Sequence, residues 1–225
     1  MQLRLSLNEV INKSTQALRG LNLPSGSDVE NGKNIGWLEC RGLPGLQILV
    51  QEIQTSLKRA SHLPSKINIA GDTVHFSNSD QSAFYLAQSA VDLAENGKTV
   101  KIMKCKYPLL LFAEMARRKH LPFGFKIKWI GGGKINTCFS YAGNTTSEFQ
   151  SRELQVACCL ELIAIKNLNF FTSKNVIDLQ EAVLKSGISC DPYKWEVVCT
   201  IANKMLVPDS KQSHTSAGAE VDDNL

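Results

Sequence analysis

The spacing of apolar residues changes period after the first sixty residues, and that change limits the folds open to this chain. Up to there the apolar positions recur every three or four residues, and from Ile67 alternating stretches enter between further helical ones. Leu7, Val10, Ile11, Leu18 and Leu21 form one helical face, opened by the capping box Ser6-Leu7-Asn8-Glu9 and closed by Gly20. Ser27-Asp28-Val29-Glu30 reads as a second capping box, after which Val29, Lys33, Gly36, Trp37 and Cys40 share a face. Gly32 and Gly36 allow close backbone contact on another face. Past the break at Gly42 to Gly45, Leu46, Leu49, Val50, Ile53 and Leu57 mark a third helix ending near His62-Leu63-Pro64.

The alternating region reads as a sheet with helices between its strands. Ile67 and Ile69, then Val74 and Phe76, flank the turn Gly71-Asp72 as a hairpin. A helix follows over Gln81 to Asn96 with Gly97 as its stop, then a strand at Val100 to Met103 and a helix opened by Pro108 and running to Arg118. Phe125, Ile127 and Trp129 alternate with Lys126 and Lys128, and Gly131 to Gly133 turns the chain into a strand from Ile135 to Tyr141. Leu154 to Ile165 reads as a long buried strand, with a helix over Glu153 to Leu162 as the alternative, and helices follow at Asn175 to Ser186 and Pro192 to Leu206. The expected class is α/β or α+β: a helical N-terminal lobe (1–63), a mixed α/β body around a central mixed sheet (64–207) with C-terminal helices, and a polar acidic tail (208–225), all in one compact domain.

Charge is unevenly placed. From Lys98 to Lys134 there are ten Lys and Arg against Glu114 alone, a net +9, while residues 209–225 carry −3. The remainder of the chain is then +7, so attraction favours a tail that docks on the basic segment over one that moves free in solvent. Seven cysteines without a CxxC pair point to reduced thiols. The N-terminus has no signal-peptide core and no apolar run reaches membrane-spanning length, so the expected location is cytoplasmic and no membrane is expected as a partner.

No motif fixes a reaction. Gly131-Gly132-Gly133-Lys134 lacks the spacing of a phosphate loop and leads into a strand, so a hairpin turn explains it. No GxGxxG follows a strand, and His62, His75, His120 and His214 have no partner at ligand spacing; no cofactor and no metal are expected. Cys158-Cys159, inside an apolar run without cations, reads as core. The basic segment suits nucleic acid poorly, because Phe125 and Trp129 alternate with the lysines and face away from them.

Both ends of the chain carry a further signal. Ser6, Glu9, Gly20, Pro24, Gly26, Trp37, Leu38, Arg41, Gly42 and Gly45, with Val207-Pro208, Ser213, Ser216-Ala217-Gly218-Ala219 and Asp222-Asp223-Asn224, resemble the pattern of an uncharacterised bacterial family, domain of unknown function 3726. The usual GAGAG is SAGAE here, and the final Asp-Asn-Asp is Asp-Asp-Asn. The resemblance implies no chemistry. The N-terminal helices are also similar to those of the malate/lactate dehydrogenase type that lacks a Rossmann fold, where Arg-Gly leads into Ser-His-Gly. Here Arg41-Gly42 leads into Leu43-Pro44-Gly45, and the absent histidine argues against hydride transfer.

The expected function is binding of a small anionic metabolite, with a metabolic enzyme as one form of it. The site is expected between the helical lobe and the sheet, from Ser6, Arg19 and Arg41, with Ser213, Ser216 and Gly218 of the tail as its cover: arginine forks bind carboxylates, and hydroxyls and glycine amides bind oxyanions. A non-catalytic accessory or assembly protein with the tail as recognition segment is the alternative, and a nucleic-acid binder using Lys98 to Lys134 is a weaker one.

Overall fold

The computed structural model describes residues 2–57, 66–77, 81–131, 133–141, 144–147, 157–165 and 180–205. The tail, His62, His214, Gly132 and the ends expected for the third helix and for the Asn175 helix lie outside the described residues. Among the described residues, seven helices and a mixed sheet make this an α/β protein.

The helical half is built around α2 (Ser27–Glu39). Helix α1 (Leu7–Gly20) opens on the expected capping box: the Glu9 amide donates to Ser6 Oγ at 3.2 Å and the Ser6 amide to Glu9 Oε2 at 2.8 Å. The second capping box does not form. Gly26 is the N-cap of α2, at φ +92°, which L side chains rarely adopt, and no side chain caps the helix. Asp28 is instead buried, accepting from the Gly26 amide and from Arg19 Nε at 2.9 and 2.8 Å. Helix α2 is buried over most of its circumference, including Asn31 and Asn34, because α1, α3 (Gly45–Ser56), α4 (Ala83–Glu95) and α5 (Pro108–Arg117) all pack on it. Gly32 is what lets α1 approach: a Cβ there falls 2.1 Å from Thr15 Oγ1 and 3.0 Å from the Ile11 carbonyl oxygen. Gly32→Ala is expected to cost about 1–3 kcal/mol in urea unfolding, and Thr15→Ala in the same chain to recover part of it.

The eight-stranded sheet follows the order β2 (Ile67–Ala70), β3 (Thr73–Phe76), β5 (Thr99–Lys106), β9 (Ala157–Ile165), β6 (Gly124–Gly131), β7 (Lys134–Tyr141), β8 (Asn144–Ser147), with β4 (Gln81–Ser82) beside β5. β3 and β4 run parallel to β5, and the other pairs are antiparallel. Register places Val74, Val100, Leu162 and Ile127 in one row on the covered face, under α4 and α5. The neighbouring row, His75, Lys101, Glu161 and Lys128, lies on the opposite face. The aromatic–lysine alternation along β6 has the expected consequence: Phe125 and Trp129 are buried and Lys128 is exposed.

Three sequence readings change. Cys159 is exposed, because a bulge sets Cys159 and Leu160 opposite Trp129 alone and turns Cys159 to φ +51°. The side chain of Cys158 lies outside the described residues. Leu57, assigned to the buried face of the third helix, is that helix's C-cap and is exposed. The helix expected from Asn175 is described as α6 (Glu181–Ser186), since Gln180 before it is extended.

The two ends of the described chain meet. Strand β1 (Leu3–Leu5) pairs with β10 (Ile188–Cys190), and α7 (Pro192–Asn203) packs against α1 and α3. Among the described residues no helix is long and apolar enough to cross a membrane.

Candidate functional site

Helices α1 and α2 lie side by side, with Leu7 and Ile11 of α1 against Gly36 of α2, so the start of α1 faces the end of α2. Arg41 follows α2 directly, whereas Arg19 closes α1 and binds Asp28 in the first turn of α2. The 13 residues of α2 span roughly 20 Å, so Ser6 and Arg41 stand at one end of the helix pair and Arg19 at the other. Ser213, Ser216 and Gly218 lie outside the described residues.

The end holding Arg41 gathers chemistry from several elements. The Arg41 guanidinium lies 4.1 Å from the centroid of the Trp37 ring, one helical turn back, and Arg41 NH1 donates to the Trp37 carbonyl at 3.3 Å. Trp37 is itself fixed edge-on to Phe112 of α5. Stacking and a backbone bond thus orient the guanidinium plane. Across the turn, the Gln180 amide sits against Gly42, and the Gln180 N–H donates to the Cys40 carbonyl at 2.9 Å.

Glu39 is the residue of this corner that sequence reading missed. Its carboxyl reaches from the end of α2 to the start of α3 and accepts the Leu46 amide at 2.7 Å. Burial pushes its pKa up to about 7, against the opposing pull of the Leu46 amide, the Lys194 charge and the Gly45 amide. A half-buried carboxyl poised near neutrality can both take and give a proton under physiological conditions. The nearby thiols cannot act as thiolates at neutral pH. Burial, then the Glu39 charge, pushes Cys190 up to about 11, and burial raises Cys40 and Cys199 as well. Cys40 feels the Arg41 and Glu39 charges in opposite directions. No single-residue signal marks Glu39 in the sequence; its character comes from burial by α3, β10 and α7.

A second polar cluster pins the helices together. Buried Glu114 accepts from Asn34 Nδ2 at 2.9 Å and from Arg118 Nε and NH2 at 3.2 and 3.0 Å. Arg117 bonds Glu30 and Asn34 Oδ1 at 2.7 and 2.8 Å, and Arg118 also bonds Asp92 and Glu95. Lys98 pairs with Asp72 and Lys101 with Glu161. Four of the ten cations between Lys98 and Lys134 are therefore in ion pairs within the described part of the fold, and Asp72 and Asp92 both have cationic partners. Among the described residues no group of three His, Cys, Asp or Glu is placed to hold a metal ion.

Solved structures share this fold at low identity. A dehydrogenase from Sinorhizobium meliloti aligns with a TM-score of 0.61 and 13% identity over 90% of this chain and 100% of its own. A putative malate/lactate dehydrogenase from E. coli gives 0.62 and 8% over 96% and 99%, and the sulfolactate dehydrogenase of Methanocaldococcus jannaschii 0.60 and 10% over 90% and 97%. No curated protein matches the chain by sequence. Residues 5–72, which carry α1, α2, α3 and the Arg41–Gly45 turn, match the family described as a protein of unknown function, DUF3726.

Proposed function

We propose that this chain binds a small carboxylate anion at the turn between α2 and α3 and acts on it as a metabolic enzyme, with Arg41 as the anion anchor and Glu39 as the proton-exchanging group. The observation that carries this reading is the Arg41 guanidinium held over Trp37 within a few residues of a carboxyl that titrates near 7. A planar fork oriented in advance loses little freedom when it engages a carboxylate. Ser6 stands at the same end of the helix pair and supplies a hydroxyl, while Arg19 holds the first turn of α2 at the far end through its ion pair with Asp28. Ser213, Ser216 and Gly218 are proposed as the cover.

The fold supports the same substrate class. The similar structures are named for malate, lactate and sulfolactate, each a small anion bearing a carboxylate. Hydride transfer is not part of the proposal, because Leu43-Pro44-Gly45 follows Arg41-Gly42 with no histidine.

Calorimetric titration with L-malate and malonate tests the reading. Wild-type protein binds one of them, and Arg41→Met weakens binding by about ten- to a hundredfold, the worth of a charge-assisted hydrogen bond. Lys101→Met, on the sheet, leaves it unchanged. Affinity falls as pH rises through about 7, where Glu39 gains its charge, and Glu39→Gln removes that dependence. The same titration on a chain stopped at Pro208 shows weaker binding; equal affinity there removes the tail from the site. Equal affinity in wild type and Arg41→Met sinks the anchor.

A further inference from the structure

The outermost strand of the sheet, β2, is bare. All four of its residues, Ile67-Asn68-Ile69-Ala70, are exposed, and among the described residues only β3 pairs with it. Ile67 and Ile69 stand opposite Phe76 and Val74, which are buried, yet they are themselves 56 and 66% exposed. β8, at the other edge of the sheet, buries Thr145 and Thr146. Edge strands are ordinarily protected by a charge, a proline or a bulge within them, and β2 has none of these. The ladder also fixes which backbone groups are unused. The Ser77 amide donates to the Lys66 carbonyl at 3.0 Å, and bonded and non-bonded pairs alternate along an antiparallel ladder. Asn68 and Ala70 therefore turn their N–H and C=O groups toward β3, and Ile67 and Ile69 turn theirs outward.

We propose that β2 is a self-association edge: two copies of this chain pair their β2 strands antiparallel about a two-fold axis at Asn68. The choice of a second copy comes from the segment itself, because Ile67-Asn68-Ile69 reads the same in both directions. Turned about Asn68, Ile67 of one copy lies opposite Ile69 of the partner subunit. These are the residues with outward backbone groups, and each bonded pair exchanges two hydrogen bonds, so the two pairs make four. The same register sets the four exposed isoleucine side chains side by side on one face and brings the two Asn68 side chains together on the other. A slip of one residue sets each isoleucine opposite a residue whose backbone groups β3 already uses. Four residues per copy make a small interface, so the dimer is weak and forms as concentration rises. It stands apart from the anion site and does not rest on it.

Sedimentation velocity of the full-length chain from roughly 1 to 500 μM tests this, a span that covers weak, transient interfaces. The wild type shifts from monomer to dimer as concentration rises. Ile69→Lys, a protecting charge on the edge, weakens association by on the order of tenfold or more. Ile69→Pro does the same while keeping an apolar side chain, because it removes an outward N–H and no bond to β3. Unchanged urea midpoints show that the fold of each variant is intact. The register has its own readout. Residues opposed in a non-bonded pair lie about 4.5 Å apart at Cα, within the disulfide range of roughly 4.4–6.8 Å. Asn68→Cys oxidised with diamide therefore gives a dimer joined through position 68 of both copies in peptide mass spectra, and Ala70→Cys does not. A wild type that stays monomeric at about 500 μM overturns the dimer and leaves the edge to a segment of another protein. Association that Ile69→Lys and Ile69→Pro both leave unweakened, or cross-linking of Ala70→Cys in place of Asn68→Cys, overturns the β2 pairing.

Discussion

Glu114→Ala lowers the unfolding free energy by about 3–5 kcal/mol, among the largest single-residue losses expected for this chain, because it breaks a buried ion pair from one side. The Glu114 side chain is 3% exposed and accepts from Asn34 and twice from Arg118, with Arg117 at 3.6 Å. Alanine leaves the Asn34 amide and part of two guanidinium groups without an acceptor where water has little access. Glu114→Gln keeps the shape and an acceptor oxygen, and costs about half as much or less. Urea unfolding of the three proteins at one pH orders them wild type, glutamine, alanine. A leucine of similar volume does not rescue the alanine loss, since it too leaves the Asn34 amide and Arg118 Nε without their acceptor. If alanine costs under about 1 kcal/mol, the cluster is not what fixes α2 against α5.

Glu39→Gln has the opposite sign at neutral pH. A folded-state pKa of about 7 against an ordinary 4.5 means that the folded protein holds more protons than the unfolded chain between those values. Stability from this group is therefore present below pH 4.5 and lost as pH rises to about 7, by about 3 kcal/mol at most. Glutamine keeps an oxygen for the Leu46 amide and carries no charge to desolvate. Wild type and Glu39→Gln are expected to differ little at pH 4.5, and the variant to be the more stable at pH 8 by up to about 3 kcal/mol. The difference between the two curves removes the titration of every other group. A difference that is flat across pH contradicts the environment assigned to Glu39.

These two carboxylates mark where the sequence stops being legible. The element pattern is readable because it rests on local chemistry: the Ser6 capping box, Gly97 after α4, Pro108 at the start of α5 and the Lys–aromatic alternation of β6 all take the form the residues suggest. Helix α2 is readable as a helix but not as a buried one, since Asp28, Asn31, Asn34 and its glycines are not apolar. They are buried because Arg19 of the preceding helix meets Asp28, and the Phe84 carbonyl and Glu114 meet the asparagines from distant parts of the chain. Strands β1 and β10 have three residues each, too few for a period, and pair across more than 180 positions. The same limit applies to the site. Residue type alone points to Arg19 and Arg41, and only the fold separates them to opposite ends of α2. Glu39 has an ordinary side chain in an ordinary helix, and its proton affinity follows from what packs around it.

The most direct test of the anion site is where a carboxylate perturbs the folded protein. In a titration of the isotope-labelled full-length chain with L-malate at pH 6, where Glu39 is largely neutral, the expected shifts centre on Arg41, Gly42 and the Trp37 indole, with smaller ones at Ser6 and Leu46. Shifts centred instead on the lysines of the sheet, or none up to tens of millimolar ligand, contradict the assignment of the α2–α3 turn as the binding site.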